Sequence, residues 1–378
     1  MAQLSAVQIS LESRFWAFCN RKHINFAEVK WSERRHNTLK KAVTFGEVMM
    51  RLSPPGHGRF VQADSFDVVY GGGEANVAVS LANFGLDAHF VTKVPSHEIG
   101  QCAVNSLRRF GVGTDYILRG GDRLGIYFLE HGASQRPSKV IYDRAGSSIS
   151  QVEPGEFDWH TILEGADWFH FTGITPALGD GPAAVTLEAV KAAKELGVTV
   201  SADLNYRKKL WSQEQANQVM SGLMPYVDVL IANEEDAEKV FGITAGESNI
   251  TEGKLSEEGY KEVARKLVGR FGFKKVAITL RESISASINN WSGLLYNNAE
   301  FYSSQKYSIH IVDRVGGGDS FCAGLIYGLL SGMSDQEALE FAAAASCLKH
   351  TIFGDYNLVT PEEVKTLMAG DGSGRVQR

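Results

Sequence analysis

Short apolar runs alternating with helical stretches constrain this chain more than any other feature. AHFVTKV (88–94), ADWFHFTGI (166–174), VTVSADLN (198–205), VDVLIAN (227–233) and KKVAITL (274–280) lack the strict polar alternation of a half-solvated strand. Strands apolar on both sides need cover on both faces. GQCAVNSLRRFG (100–111), GPAAVTLEAVKAAKELG (181–197), EEDAEKVFG (234–242), FCAGLIYGLLSG (321–332) and QEALEFAAAASCLKH (336–350) read as the helices that supply it. In the second of these, Val185, Ala189, Val190 and Ala193 recur at helical spacing. Gly111, Gly197 and Gly242 stand where left-handed helix ends are expected. The expected class is α/β: three layers, αβα, around a mostly parallel central sheet. Two stretches rich in Gly, Pro and polar residues, 52–70 and 124–148, break the alternation and read as short strands joined by turns. They predict a small β flap, or lid, on the main sheet.

Composition removes several functional classes. With 378 residues, 44% of them hydrophobic and 22% charged, the chain has material for a substantial core and is neither fibrous nor disordered as a whole. Cys19, Cys102, Cys322 and Cys347 show no CxxC spacing, which argues against a zinc site or a disulfide framework and predicts a reducing, cytoplasmic location. No apolar run approaches the roughly 18 residues of a membrane span. Net charge is −6; the first 41 residues hold +5 and the remainder −11, so the body is expected to be a poor nucleic-acid binder. Residues 1–40 show no sustained period and no secretory pattern, and are expected to form a poorly ordered extension. The expected folded domain covers 41–370, with 371–378 as a tail.

The stretch DRVGGGDSF (313–321) sits between the apolar run SIHIVD and an apolar helix. In a parallel sheet, ligands bind at the carboxyl ends of the strands. Glycines let backbone N–H groups approach a ligand closely, and a helix start adds partial positive charge, so Gly316, Gly317 and Gly318 predict an anion pocket. Asp319 has two explanations at this stage. It caps the helix, worth about 1 kcal/mol, or it takes a proton from an attacking hydroxyl during phosphoryl transfer. Neither GxxxxGK[ST] nor a GxGxxG opening a βαβ unit occurs, and the protein-kinase motif set is absent. A serine esterase built on Ser320 would lack a histidine beyond His350.

DRVGGGDSF resembles the DTxGAGD signature of the ribokinase (PfkB) carbohydrate kinases, and GGGEANVAVSLANFG (71–85) resembles that family's second signature. The resemblance spans roughly residues 42–370. Within the family, GEVMMRLSPPG, IYDRAGSS, DLNYRKKLW and FGDYN are similar to kinases that phosphorylate the 6-hydroxyl of 2-keto-3-deoxygluconate with ATP. The resemblance implies a ribokinase-like fold with a β lid, and ATP and Mg2+ as cofactors. It implies Asp319 as catalytic base and the amides of Gly316, Gly317 and Gly318 as anion hole. Sugar binding would fall to Gly72, Gly73, Glu74, Ala75 and Asn76, together with Tyr127, Tyr142, Arg144, Arg207 and Asp355. Asn205 and Arg207 would lie near the phosphates, and Asn233, Thr279, Arg281 and Ser283 on the nucleotide side. Asp236 ends an NxxE-like element that orders magnesium through water.

The chain departs from the family pattern at Arg314 (usually Thr), Gly317 (usually Ala), Asp236 (usually Glu) and Arg281 (usually Gly). A carboxylate is best held by a guanidinium, which makes Arg144 and Arg207 candidates for an acidic sugar. Each is equally read as a solvated arginine, Tyr127 and Tyr142 as flap core, and Asn76 as a helix cap. The competing readings are a kinase for a neutral sugar such as fructose and a non-catalytic sugar-binding regulator on the same fold. An uncovered flap edge predicts a homodimer or larger homo-oligomer.

Overall fold

The computed structural model describes residues 39–246, 250–251, 254–255, 257–372 and 374. The expected extension at 1–40 therefore lies almost wholly outside the described residues, as does most of the expected tail. The strands are β1 (Lys41–Phe45), β2 (Met49–Ser53), β3 (Asp67–Gly71), β4 (Asp87–Val94), β5 (Ile117–Arg119), β6 (Gly125–Glu130), β7 (Lys139–Asp143), β8 (Trp168–Thr172), β9 (Thr199–Asp203), β10 (Val229–Asn233), β11 (Ile250–Thr251), β12 (Lys254–Leu255), β13 (Lys275–Ser283), β14 (Ile288–Tyr296), β15 (Phe301–Ser303) and β16 (Tyr307–His310). The helices are α1 (Gly73–Asn83), α2 (Glu98–Arg108), α3 (Trp159–Leu163), α4 (Asp180–Glu195), α5 (Gln213–Leu223), α6 (Glu234–Phe241), α7 (Glu257–Phe271), α8 (Gly317–Leu330), α9 (Asp335–Lys349) and α10 (Pro361–Met368).

The main sheet has the order β15-β14-β13-β10-β9-β8-β1-β4-β5. From β5 to β13 every pairing is parallel. β8, WFHFT, is buried at every position, as a strand covered on both faces must be. One apolar cluster packs a face of the sheet against α3 to α7, through residues such as Trp159, Val185, Met220, Val240 and Leu267. A second packs the other face against α1, α8, α9 and α10, through Leu81, Phe321, Phe341 and Val364. The chain is therefore a three-layer α/β fold. Gly111, Gly197 and Gly242 all have positive φ, 80°, 71° and 66°, and end their helices as expected.

The sheet is less purely parallel than its sequence suggests. β14, β15 and β16 add antiparallel pairings at one edge. The run SIHIVD does not feed the glycine turn from the middle of a parallel sheet. Its strand, β16, stops at His310 and pairs antiparallel with β14. Only Ile309 in it is buried, so it has the alternation of an edge. A separate four-stranded sheet, β3-β2-β6-β7, begins earlier than the Pro and Gly residues of its turn announce, at Met49. In it Arg51 pairs in register with Tyr127, and Tyr127 with Tyr142.

Candidate active site

Parallel strands deliver their carboxyl ends to one edge. The registers set Thr172 beside Asp203 and Asn233 beside Thr279, and of these Asp203, Asn233 and Thr279 line one cleft. The glycine turn before α8 and the inner side of the four-stranded sheet complete a cleft of about 500 Å3, a size typical of small-molecule sites.

Asp319 is the third residue of α8. The helix is capped by Gly316 at φ 82°, with no side chain on the first-turn amides, so Asp319 is not the N-cap. Its Oδ2 instead accepts from Asn76 Nδ2 at 2.6 Å. Asn76 is likewise no cap, since α1 is capped by Gly72. Its Oδ1 accepts from Gly72 N at 3.2 Å, which ties the two glycine-rich signatures together. Burial raises the Asp319 pKa to about 6; the Asn76 hydrogen bond opposes the shift, Asp355 adds to it, and Arg207 and Lys349 lower it.

The three glycines serve different needs. Gly316 is left-handed, and a Cβ there would fall 2.0 Å from Asp355 O. A Cβ on Gly317 would fall 2.3 Å from His350 Cε1, whereas around Gly318 nothing stands within 4 Å. Gly317 N reaches Arg314 O at 3.4 Å and Ser320 N donates to Gly316 O at 2.8 Å. Between them the amides of Gly318 and Asp319 have no acceptor among the described residues. Two unpaired N–H groups at a helix start form an anion site.

The far end of the cleft is held by buried charge. Arg51, with no exposed surface, donates to Asp355 Oδ1 at 2.8 Å and Asp313 Oδ2 at 2.6 Å. Tyr127 OH donates to Asp355 Oδ2. Tyr142 stands 6.0 Å from Tyr127 between ring centroids, with the Arg144 guanidinium over its face at 5.4 Å. Arg144 is paired with Glu47, whose other oxygen accepts from Ser147 Oγ at 2.7 Å. Arg207 is exposed, donates to Tyr206 O at 3.1 Å and makes no salt bridge among the described residues. Asn205, at φ 41°, donates to Asp203 Oδ2 at 3.2 Å. Burial, with Asp236 and Asp319 close by, raises the Asp203 carboxyl well above the usual range.

Asn233 caps α6, accepting from Glu235 N at 2.8 Å and Asp236 N at 2.9 Å. Asp236 returns the bond, its Oδ2 accepting from Asn233 N at 3.3 Å, while Oδ1 accepts from Tyr206 N at 3.2 Å. Both of its oxygens thus already serve the backbone. The described residues hold no group of three or more His, Cys, Asp or Glu side chains placed to ligate a metal directly. Such a set fits a hydrated cation carried by phosphates, the usual manner of Mg2+, better than a caged one.

Most residues expected at the site line this cleft, and three do not. Glu74 turns beneath α1, where its Oε1 accepts from Thr172 N and Oγ1 at 2.8 Å and Thr175 Oγ1 at 2.7 Å. Ala75 is fully buried in the packing of α1 against Phe90 and Val104. Ser283 ends β13 at an exposed position four residues past Thr279; its partner Asn289 lines the cleft but Ser283 does not. Sequence reading passed over Glu47, Arg51, Asp203 and Asp313. A charged residue inside the apolar run VMMRL was the available signal for Arg51, since a buried arginine requires carboxylates.

A family model described as pfkB family carbohydrate kinase matches residues 39–362. The crystal structure of 2-dehydro-3-deoxygluconokinase from Thermotoga maritima is 58% identical, with a TM-score of 0.85 over 88% of this chain and 100% of that one. A Haloferax volcanii protein named 2-dehydro-3-deoxygalactonokinase is 35% identical over 88% of this chain and 98% of its own. An Escherichia coli ribokinase II solved with ATP and Mg2+ shares the fold, at 18% identity and a TM-score of 0.71 over 88% of this chain and 100% of that one. With its cleft at the strand ends and a family match over most of its length, the chain belongs to the pfkB family of carbohydrate kinases.

Proposed function

We propose that this protein transfers the γ-phosphoryl group of ATP to the 6-hydroxyl of 2-keto-3-deoxygluconate, giving 2-keto-3-deoxy-6-phosphogluconate and ADP. The observation that carries this reading is the Asp319 carboxylate facing the cleft beside two unpaired main-chain amides. Near neutral pH the carboxylate is ionised and sits above its ordinary basicity, suited to accept the proton of the 6-hydroxyl. Asn76 holds it in place. The amides of Gly318 and Asp319, preorganised by Gly316 and Gly317, stabilise charge on the migrating phosphoryl oxygens. Asp236 would help hold a hydrated Mg2+ through water, and the cation would supply charge neutralisation at the phosphates.

The nucleotide would lie against Asn233, Thr279 and Arg281, and the sugar between Gly72, Gly73, Asn76, Tyr127, Tyr142 and Asp355. Arg207, which makes no salt bridge among the described residues, is the guanidinium available to a sugar acid or a phosphate. Arg144, neutralised by Glu47, is better suited to orienting Tyr142 than to gripping a carboxylate. The four-stranded sheet would act as the lid that excludes water. Its edge strands β3 and β7 carry the exposed side chains of Val68 and Ile141, which supports the homodimer expected from sequence. The free thiols of Cys102, Cys322 and Cys347 suit a reducing compartment, and we assign the reaction to the cytoplasm.

The Haloferax relative favours a second reading, in which the C4 epimer, 2-keto-3-deoxygalactonate, is also an acceptor. The base is tested by Asp319→Asn: kcat should fall by about 10³-fold or more, while calorimetric affinity for 2-keto-3-deoxygluconate changes little. Undiminished turnover would remove Asp319 from the chemistry.

A further inference from the structure

Lys349 ends helix α9 and has no exposed surface. A lysine buried in this way needs partners for three N–H donors. Its Nζ finds three main-chain carbonyls: Gly354 O at 2.6 Å, Ile352 O at 3.1 Å and Asp313 O at 3.4 Å. The Asp313 carbonyl belongs to the segment entering the glycine turn, and the other two to the loop that leads to Asp355. These segments touch where Gly316 packs on Asp355 O, and a Cβ on Gly316 would stand 3.2 Å from Lys349 Cε. Carbonyl dipoles that converge on one buried point repel each other unless a cation lies between them. The side chains of Asp313 and Asp355 are already taken by Arg51. Lys349 therefore completes a buried group of two cations and two carboxylates behind the cleft, of which Asp355 alone reaches the lining.

We propose that the Lys349 ammonium is the fixed cation on which the phosphate-holding glycine turn is assembled. It joins residues 313–318 to the 350–355 loop through their carbonyls and sets positive charge behind the amides of Gly318 and Asp319. This role rests on the kinase reading above. Lys349 is a positioning residue, acting on the phosphoryl group only through the turn it holds.

Burial lowers the Lys349 pKa to about 8, against the pull of Asp313 and Asp355; Arg51 and Asp319 are the other charges facing it. Its remaining titratable neighbours change charge elsewhere. Burial lowers His350 to about 4 and also lowers His131, while burial and Asp355 raise Tyr127 far above its ordinary value. Asp319, at about 6, gives up its proton at lower pH than Lys349.

The test uses Lys349→Ala and Lys349→Met in the full chain. Wild-type turnover of ATP and 2-keto-3-deoxygluconate comes first, since its absence would remove the kinase reading itself; the variants then judge this role alone. Both variants should lose about 100-fold in kcat, with KM for the sugar within about threefold of wild type. Ammonium chloride should restore the Lys349→Ala rate by about tenfold or more over sodium chloride at equal ionic strength, because ammonium is the missing group without its stem. Lys349→Met, whose side chain fills the space, should not respond. A lysine that only filled space would be replaced by Met without loss, so a Lys349→Met kcat within about threefold of wild type overturns the proposal. A folded Lys349→Ala that ignores ammonium also overturns it. Should both variants fail to fold, the wild-type profile decides: kcat is expected to fall above pH about 8. A flat kcat up to about pH 10 in folded protein refutes it.

Discussion

Replacing Asp319 with Asn should raise stability while it abolishes turnover. The folded-state carboxyl has a pKa of about 6, raised chiefly by burial, against about 3.9 in an unfolded chain. A shift of about two units means that holding the ionised group in place costs the fold about 3 kcal/mol at pH 8. The sign follows from the raised value. The unfolded chain gives up this proton first, so the cost is fully present above pH 6, shrinks as pH falls towards 4, and vanishes below both pKa values. The amide of the variant is neutral throughout and keeps an oxygen to accept from Asn76 Nδ2. Asp319→Asn should therefore gain about 2–3 kcal/mol at pH 8 and about half of that at pH 5. Paired urea melts at the two pH values read the difference directly. A variant less stable than wild type at pH 8, or one whose gain does not depend on pH, would refute an ionised Asp319 with a raised pKa.

Three further substitutions probe the site from other sides. Gly318→Ala places a methyl group where nothing stands within 4 Å, so stability should hold or rise by about 1 kcal/mol from helix propensity, yet phosphoryl transfer should fall at least about tenfold as the methyl enters the anion site. Gly316→Ala meets Asp355 O in a left-handed backbone and should cost about 2 kcal/mol or more in a denaturant melt. Arg207→Met removes an exposed guanidinium that makes no salt bridge among the described residues; melts should move by less than about 0.5 kcal/mol, while KM for the sugar acid or for ATP rises about tenfold or more.

The layers of the fold were legible because their physics is local. Runs such as WFHFT are apolar on both sides whatever they pair with, and Gly197 or Gly242 ends a helix by its own φ. The antiparallel edge was not legible in the same way. β14 and β16 become neighbours through a pairing that no single window contains, and β16 read alone suits either direction. At the site, the glycine turn and Asp319 could be located from spacing, but whether Asp319 capped the helix depended on where α8 begins, at Gly317 rather than at the aspartate. Glu74 was expected beside the sugar only through the resemblance; its side chain turns away because Thr172, at the end of β8, and Thr175, in the turn after it, donate to it from beneath. Arg51 is the strongest case of non-local information, with its two carboxylates 262 and 304 residues away in the chain.

The reaction itself is the central claim, and phosphorus NMR of the product tests it most directly. Incubation with Mg-ATP and 2-keto-3-deoxygluconate should yield ADP and one new phosphomonoester, coupled to the C6 protons of the sugar, with fructose turned over far more slowly under the same conditions. No new phosphomonoester, a phosphate on another oxygen, or fructose consumed at an equal or greater rate would contradict the account.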